Sequence, residues 1–188
     1  GTRTNFYHAL KQQGIPIHTL GMGLKAMHSP KCIPALRRLI RQFDVVHTHN
    51  TPCQFFTALA CIGLKNAPQL VTTEHNTTNR RRKSLWLKPI DRWMYGRYTQ
   101  IIGVSESTTQ ALLDYLPHLS HCQTINNGID VRSFQQAIPA ADLVQQFSGV
   151  KRLVMAAAFR AQKDHETAIC ALHHLPQEYH LLLAGDGE

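Results

Sequence analysis

Short, largely apolar runs recur along this chain, and an amphipathic stretch separates each from the next. Residues 15–20, 45–48, 70–73, 101–104 and 124–125 have the length and β-branched content of strands buried on both faces. Between them, 4–13, 33–42, 54–64 and 105–116 carry helical spacing. In 33–42, Ile33, Leu36, Leu39 and Ile40 form one stripe, and Arg37, Arg38 and Arg41 lie on the other. Segment 54–64 is apolar nearly all round, as in a buried helix. Ser105 suits an N-cap, and Pro117 stops the helix it would open. This β-α-β-α rhythm predicts an α/β fold with a doubly wound parallel sheet of Rossmann-like type. Right-handed crossovers gather the C-terminal ends of all strands on one edge, where such sheets bind ligands. The candidate positions are therefore those that follow a strand: 49–50, 74–79, 105–106 and 126–130.

The rhythm loosens over 134–149, where a short helix at 140–147 lies between Pro139 and Gly149. A new strand at 152–156, a helix at 164–175 and a strand at 180–183 follow. The expected division is a first domain over 1–147 and a second beginning at 151 and running to 188. Two strands and one helix cannot cover both faces of a sheet, so the second domain reads as incomplete. The first domain, opening at Gly1, reads as lacking its first strand.

Hydrophobic residues make up 43% of the chain and charged residues 17%, which excludes a disordered or fibrous protein. No apolar run reaches the ~18–20 residues of a membrane span, and no signal peptide pattern opens the sequence. Cys32, Cys53, Cys61, Cys122 and Cys170 are scattered without a CxxC pair and read as reduced thiols, which suits the cytoplasm. The twelve histidines do not combine with carboxylates at ligand spacing, so no metal site is expected. His47 and His49, at i and i+2 of a strand, read as structural or solvated. Charge is uneven: residues 1–100 hold fifteen Lys/Arg against three acids, whereas 101–188 hold five against nine. A basic half of that kind suits a surface that meets polyanions, whether nucleic acid, anionic lipid or a phosphorylated substrate.

Six motifs then occur in order. They are Asp44-Val45-Val46-His47-Thr48-His49, Thr72-Thr73-Glu74-His75-Asn76-Thr77, Ile102-Gly103-Val104-Ser105-Glu106, Ile125-Asn126-Asn127-Gly128-Ile129-Asp130, Phe159-Arg160-Ala161-Gln162-Lys163-Asp164-His165 and Leu183-Ala184-Gly185-Asp186-Gly187. Together they resemble glycosyltransferase family 4, a GT-B family of two Rossmann-like domains facing a cleft. The resemblance covers almost the whole chain and about the first half of a family member.

His75 follows a buried strand and precedes a polar, basic loop, so its ring either bonds a sugar hydroxyl or is a satisfied structural group. The resemblance implies the former: a histidine that faces the donor sugar and matters for catalysis. Lys163 and Arg160 precede a helix, where the dipole disfavours cations unless an anionic ligand intervenes. The resemblance implies that they bind the donor diphosphate. The family's arginine five residues before this lysine is replaced by Ala158, and Arg160 is the cation placed to substitute for it. Gly1 resembles the tail of the family's Gly-rich loop, a possible substrate contact. Asn127-Gly128 reads equally as a tight turn or a ligand contact, and Ser105 more as a cap than a nucleophile.

Arg80, Arg81, Arg82 and Lys83 precede a stretch with Trp86, Ile90 and Trp93. This is either a solvated loop with a packed helix or a basic amphipathic element on anionic lipid. The resemblance implies transfer of a hexose-type sugar, with retention, from a nucleotide diphosphate donor to a glycan or lipid-linked acceptor. It implies no cofactor and no essential metal, a cytoplasmic location that extends to the inner face of the membrane, and a place in polysaccharide or glycolipid synthesis. It also implies a donor-site pair of glutamates that would lie beyond Glu188, so the fragment alone is expected to be inactive. The rivals are a basic nucleic-acid-binding module, against which the basic run's lack of a recognisable nucleic-acid motif counts, and a sugar-nucleotide epimerase of the same fold.

Overall fold

The computed structural model describes residues 5–20, 29–79 and 81–187. The chain forms two compact units that divide after Gly128. This lies ahead of the 147–151 position read from the sequence. Helices α6 (Val131–Gln135) and α7 (Ala141–Gln146) therefore fall in the second unit.

In the first unit, β1 (Val45–His49), β2 (Gln69–Glu74), β3 (Gln100–Gly103) and β4 (Cys122–Thr124) form one parallel sheet in chain order. Laying successive parallel strands side by side requires crossovers of one hand. The helices α3 (Cys53–Ala60), α4 (Lys88–Tyr95) and α5 (Glu106–Tyr115) therefore share one face. That face holds the core, in which Ala58 and Ala60 of α3, Met94 and Tyr95 of α4, and Leu112 of α5 close over Leu70 and Ile101. Before β1, α2 (Ile33–Ile40) adds Ile40 to the same cluster, and α1 (Asn5–Gln12) opens the described chain.

Side chains alternate across a strand, so Val45, His47 and His49 lie with Val71 and Thr73 on the opposite face. Val45 is 53% exposed. The expectation of strands buried on both faces thus holds for one face only. Residues 15–20 are irregular rather than a strand, with Ile15 and Leu20 exposed. A strand needs a neighbour for its backbone N–H and C=O groups, and no described strand lies beside this segment. The expected buried helix at 54–64 is shorter, and its core positions include Gln54, fully buried, and Thr57. All five cysteines are free.

In the second unit, β5 (Lys151–Ala156) and β6 (Tyr179–Ala184) pair in parallel through α8 (His165–Leu172). Val154 is 67% exposed, as a two-stranded sheet under one helix requires. The strands continue to a bridge between Phe159 and Gly187.

Gly103 ends β3 against the first turn of α5, where an added Cβ would lie 2.2 Å from Thr109 Oγ1 and 2.9 Å from its backbone nitrogen. Replacement Gly103→Ala is expected to destabilise the chain by about 1–3 kcal/mol, the usual cost of overpacking, read as a lowered urea midpoint. An unchanged midpoint would show that α5 slides freely on β3.

Candidate active site

The parallel register sets His49 beside Thr73, so the C-terminal ends of β1 and β2 meet with His75 one residue past the strand. His47, His49, Thr73 and His75 share the open face there by strand alternation. His47 Nε2 and Thr73 Oγ1 are hydrogen-bonded at 2.8 Å. The rings of His47 and His49 stack with centroids 4.5 Å apart. His49 Nδ1 and His75 Nε2 share a hydrogen bond of 2.9 Å. Burial, and then the nearby rings of His47 and His75, lower the pKa of His49, because each penalises a charged imidazole. Asn50 turns the chain away from β1 at φ 62°, a left-handed conformation that asparagine tolerates.

Beneath this surface, on the covered face, Glu74 is a carboxylate only 5% exposed. Tyr95 donates to its Oε1 at 2.7 Å, and Gln54 Nε2 donates to the same oxygen. Arg82 donates to Oε2 at 2.9 Å, with both side chains below a tenth exposed. Gln54 also donates to Thr72 Oγ1 at 2.8 Å, and Tyr98 donates to the Gln54 carbonyl at 2.8 Å. Burial and the adjacent Glu74 charge push the Tyr95 phenol far above its ordinary pKa, so it remains a donor at any physiological pH.

The same guanidinium closes the loop after His75. Arg82 donates to the Thr77 carbonyl at 2.9 Å, and its backbone N–H donates to Asn79 Oδ1 at 2.9 Å. Arg81 reaches Asp91, which is 2% exposed, through Nε at 2.9 Å, and Tyr115 donates to that carboxylate. This corrects the reading of 80–83 as one basic surface. Two buried carboxylates draw Arg81 and Arg82 inward, because a buried charge needs a partner. Lys83 is exposed, and Arg80 lies outside the described residues.

Ser105 caps α5: its Oγ accepts from Thr108 N at 3.2 Å and is hydrogen-bonded to the Thr108 hydroxyl. Asn127 is exposed in the irregular segment after β4, and Gly1 lies outside the described residues. In the second unit, Arg160 and Lys163 flank a single 3-10 turn (Ala161–Lys163) leading into α8, joined by a 2.8 Å backbone bond from Lys163 N to Arg160 O. Asp164, at φ 52°, caps α8 by accepting from Thr167 N. His165 stacks on Phe159 with centroids 4.7 Å apart. Among the described residues, no group of three His, Cys, Asp or Glu is placed to hold a metal ion. None of their helices is long and apolar enough to cross a membrane.

Residues 4–133 match the model of Glycosyltransferase Family 4, more than half of the chain. The chain belongs to glycosyltransferase family 4. No curated protein sequence matches it significantly. Among solved structures, HepE of Anabaena in complex with UDP and glucose is similar at a TM-score of 0.79 with 18% identity, over 97% of this chain and 51% of that one. The same protein with UDP-glucose gives 0.80 and 18%, over 97% and 50%. MnaA of S. aureus with UDP gives 0.54 and 15%, over 93% and 50%. The chain thus spans about half the length of these structures. At such identities the likeness shows the fold, and the family membership rests on the matched 4–133 segment.

The sequence reading placed His49 at the ligand-bearing edge but took its ring as structural or solvated and missed its bond to His75. The i, i+2 relation of His49 to His47 fixes a shared face, and parallel order brings β2 alongside. Gln54, Tyr95 and Arg82 left no such trace, because only packing brings them to Glu74. Truncating Arg82 in this family 4 chain leaves that carboxylate buried with its charge unpaired. Arg82→Ala is expected to destabilise by about 3–5 kcal/mol, measured by chemical denaturation. A loss within ~0.5 kcal/mol, the range of ordinary surface substitutions, would show the pair to be solvated in solution.

Proposed function

We propose that this chain is part of a retaining glycosyltransferase that moves a hexose-type sugar from a uridine diphosphate donor to a glycan or lipid-linked acceptor. The observation that carries the reading is His75, set at the ligand-binding edge of a family 4 sheet beside a polar loop that Arg82 holds back. HepE, similar in fold, is known with UDP-glucose bound, which favours a uridine donor. In this reading His75 touches the donor sugar. Lys163 and Arg160 meet the diphosphate together with the N-terminus of α8, with no essential metal required. Asn127 borders the substrate. The enzyme works in the cytoplasm on cell-surface polysaccharide or glycolipid.

A membrane contact belongs to the same reading, moved from the arginine run to the face beside it. Trp86 is 90% exposed, and Ile90 and Trp93 are partly so, alongside exposed Lys83, Arg92 and Arg97. Indoles and cations side by side suit the interface of an anionic bilayer. The chain is expected to bind anionic vesicles at low ionic strength and to release them as salt screens the attraction, with Trp86→Ala weakening capture. Sedimentation with the vesicles measures it. Absence of binding, or tighter binding to duplex DNA, would sink the membrane contact.

For catalysis, in the enzyme with its complete donor site, His75→Ala is expected to lower kcat by roughly 10²–10⁴-fold while UDP affinity changes little. Lys163→Ala is expected to show the opposite order, losing UDP affinity first. Turnover assays with calorimetry of UDP binding separate the two. Near-normal turnover of a folded His75→Ala protein would make the residue structural.

A further inference from the structure

Two ring nitrogens held 2.9 Å apart, as His49 Nδ1 and His75 Nε2 are, share one proton: with none the lone pairs repel, and with two the protons collide. One ring therefore donates and the other accepts, and the choice fixes what His75 offers a ligand from its other nitrogen. A neutral imidazole intrinsically favours its proton on Nε2. If His75 donates from Nε2 to His49 Nδ1, both rings hold that favoured form; the reverse bond forces both into the other. The surroundings offer the pair no counter-ion. His47 stacks on His49 and is itself held by Thr73, so no carboxylate on β1 or β2 balances a positive charge on this face. Glu74, the adjacent acid, points to the opposite face and is bonded to Arg82, Tyr95 and Gln54.

We propose that His49 is a positioning residue for His75: by accepting from His75 Nε2 it fixes the tautomer of that ring, with the Nδ1 lone pair presented to a ligand hydroxyl. A bare nitrogen of this kind accepts from a sugar hydroxyl and offers nothing to a phosphate oxygen, which has no hydrogen to give. The site at this edge therefore takes the hydroxyl-bearing part of a ligand, and the phosphates must be met elsewhere. The lowered pKa of His49 agrees, since its ring resists taking the second proton that would reverse the bond. The inference rests on the reading of His75 as the sugar-facing residue and adds which nitrogen does the recognition and what sets it.

The test is nuclear magnetic resonance of the 15N-labelled chain above neutral pH, with the His75 ring assigned by loss of its signals in His75→Ala. The expected spectrum shows the His75 proton on Nε2, slowed in exchange with water, and an unprotonated Nδ1. His49→Ala should lose that slowed proton. His49→Asn should keep it, because the asparagine Oδ1 stands close to where the histidine Nδ1 stood. Backbone amide spectra establish that each variant is folded. A proton on His75 Nδ1, or a slowed Nε2 proton that survives in His49→Ala, would overturn the proposal. In turnover assays of the enzyme with its complete donor site, His49→Ala should lower kcat with little change in UDP affinity. The double variant should lose no more than His75→Ala alone, the signature of residues acting as a unit. The spectroscopic arm does not depend on sugar transfer, so this inference and the assignment of His75 to the donor sugar fail separately.

Discussion

A carboxylate at the C-terminal end of β2 cannot stay buried alone, and most of the first unit's polar interior exists to keep Glu74 company. Tyr95 comes from α4, Gln54 from α3 and Arg82 from the loop between β2 and α4. Three separate segments therefore converge on one side chain. An unpartnered charge there would cost several kcal/mol, so the network fixes where those segments lie. A buried ion pair is weak evidence for net stability. Its effect here is geometric: Arg82 also ties down Thr77 and Asn79, which sets the path of the loop that leaves His75.

The sheet separates this scaffold from the histidine cluster. Odd positions of β1 and of the end of β2 carry His47, His49, Thr73 and His75 on one face, while even positions carry Thr48, Thr72 and Glu74 on the other. Neighbours in sequence thus differ in setting: Glu74 anchors from below, and His75 stands past the strand end on the open face. The buried network around Glu74 thus steadies the backbone of His75 through one peptide bond.

The second unit repeats the same logic in smaller form. Gly185 lies so close to Ala157 that a Cβ would come within 2.0 Å of its carbonyl oxygen. Only glycine permits β6 to leave the sheet beside the turn that carries Arg160 and Lys163. Those cations sit where the peptide groups at the start of α8 favour an anion.

Period and order were legible in the residues themselves. Short apolar runs alternating with amphipathic segments require parallel strands with crossover helices, and the six expected strands other than 15–20 and the four main helices appear close to where the pattern put them. Family membership was legible too, because motifs at fixed spacing survive where overall identity does not. What the sequence could not decide was partnership at a distance. Segment 15–20 has strand composition yet lacks a neighbour, and whether a neighbour exists is not a local property. Arg81 and Arg82 read as a solvated charge run because hydropathy counts only their kind, not the carboxylates at Glu74 and Asp91 that call them inward. His49 and His75 stand twenty-six positions apart and became a hydrogen-bonded pair only when β1 and β2 were laid in register. Periodicity is written residue by residue and can be read so. The pairing of charges and protons depends on which surfaces folding brings together.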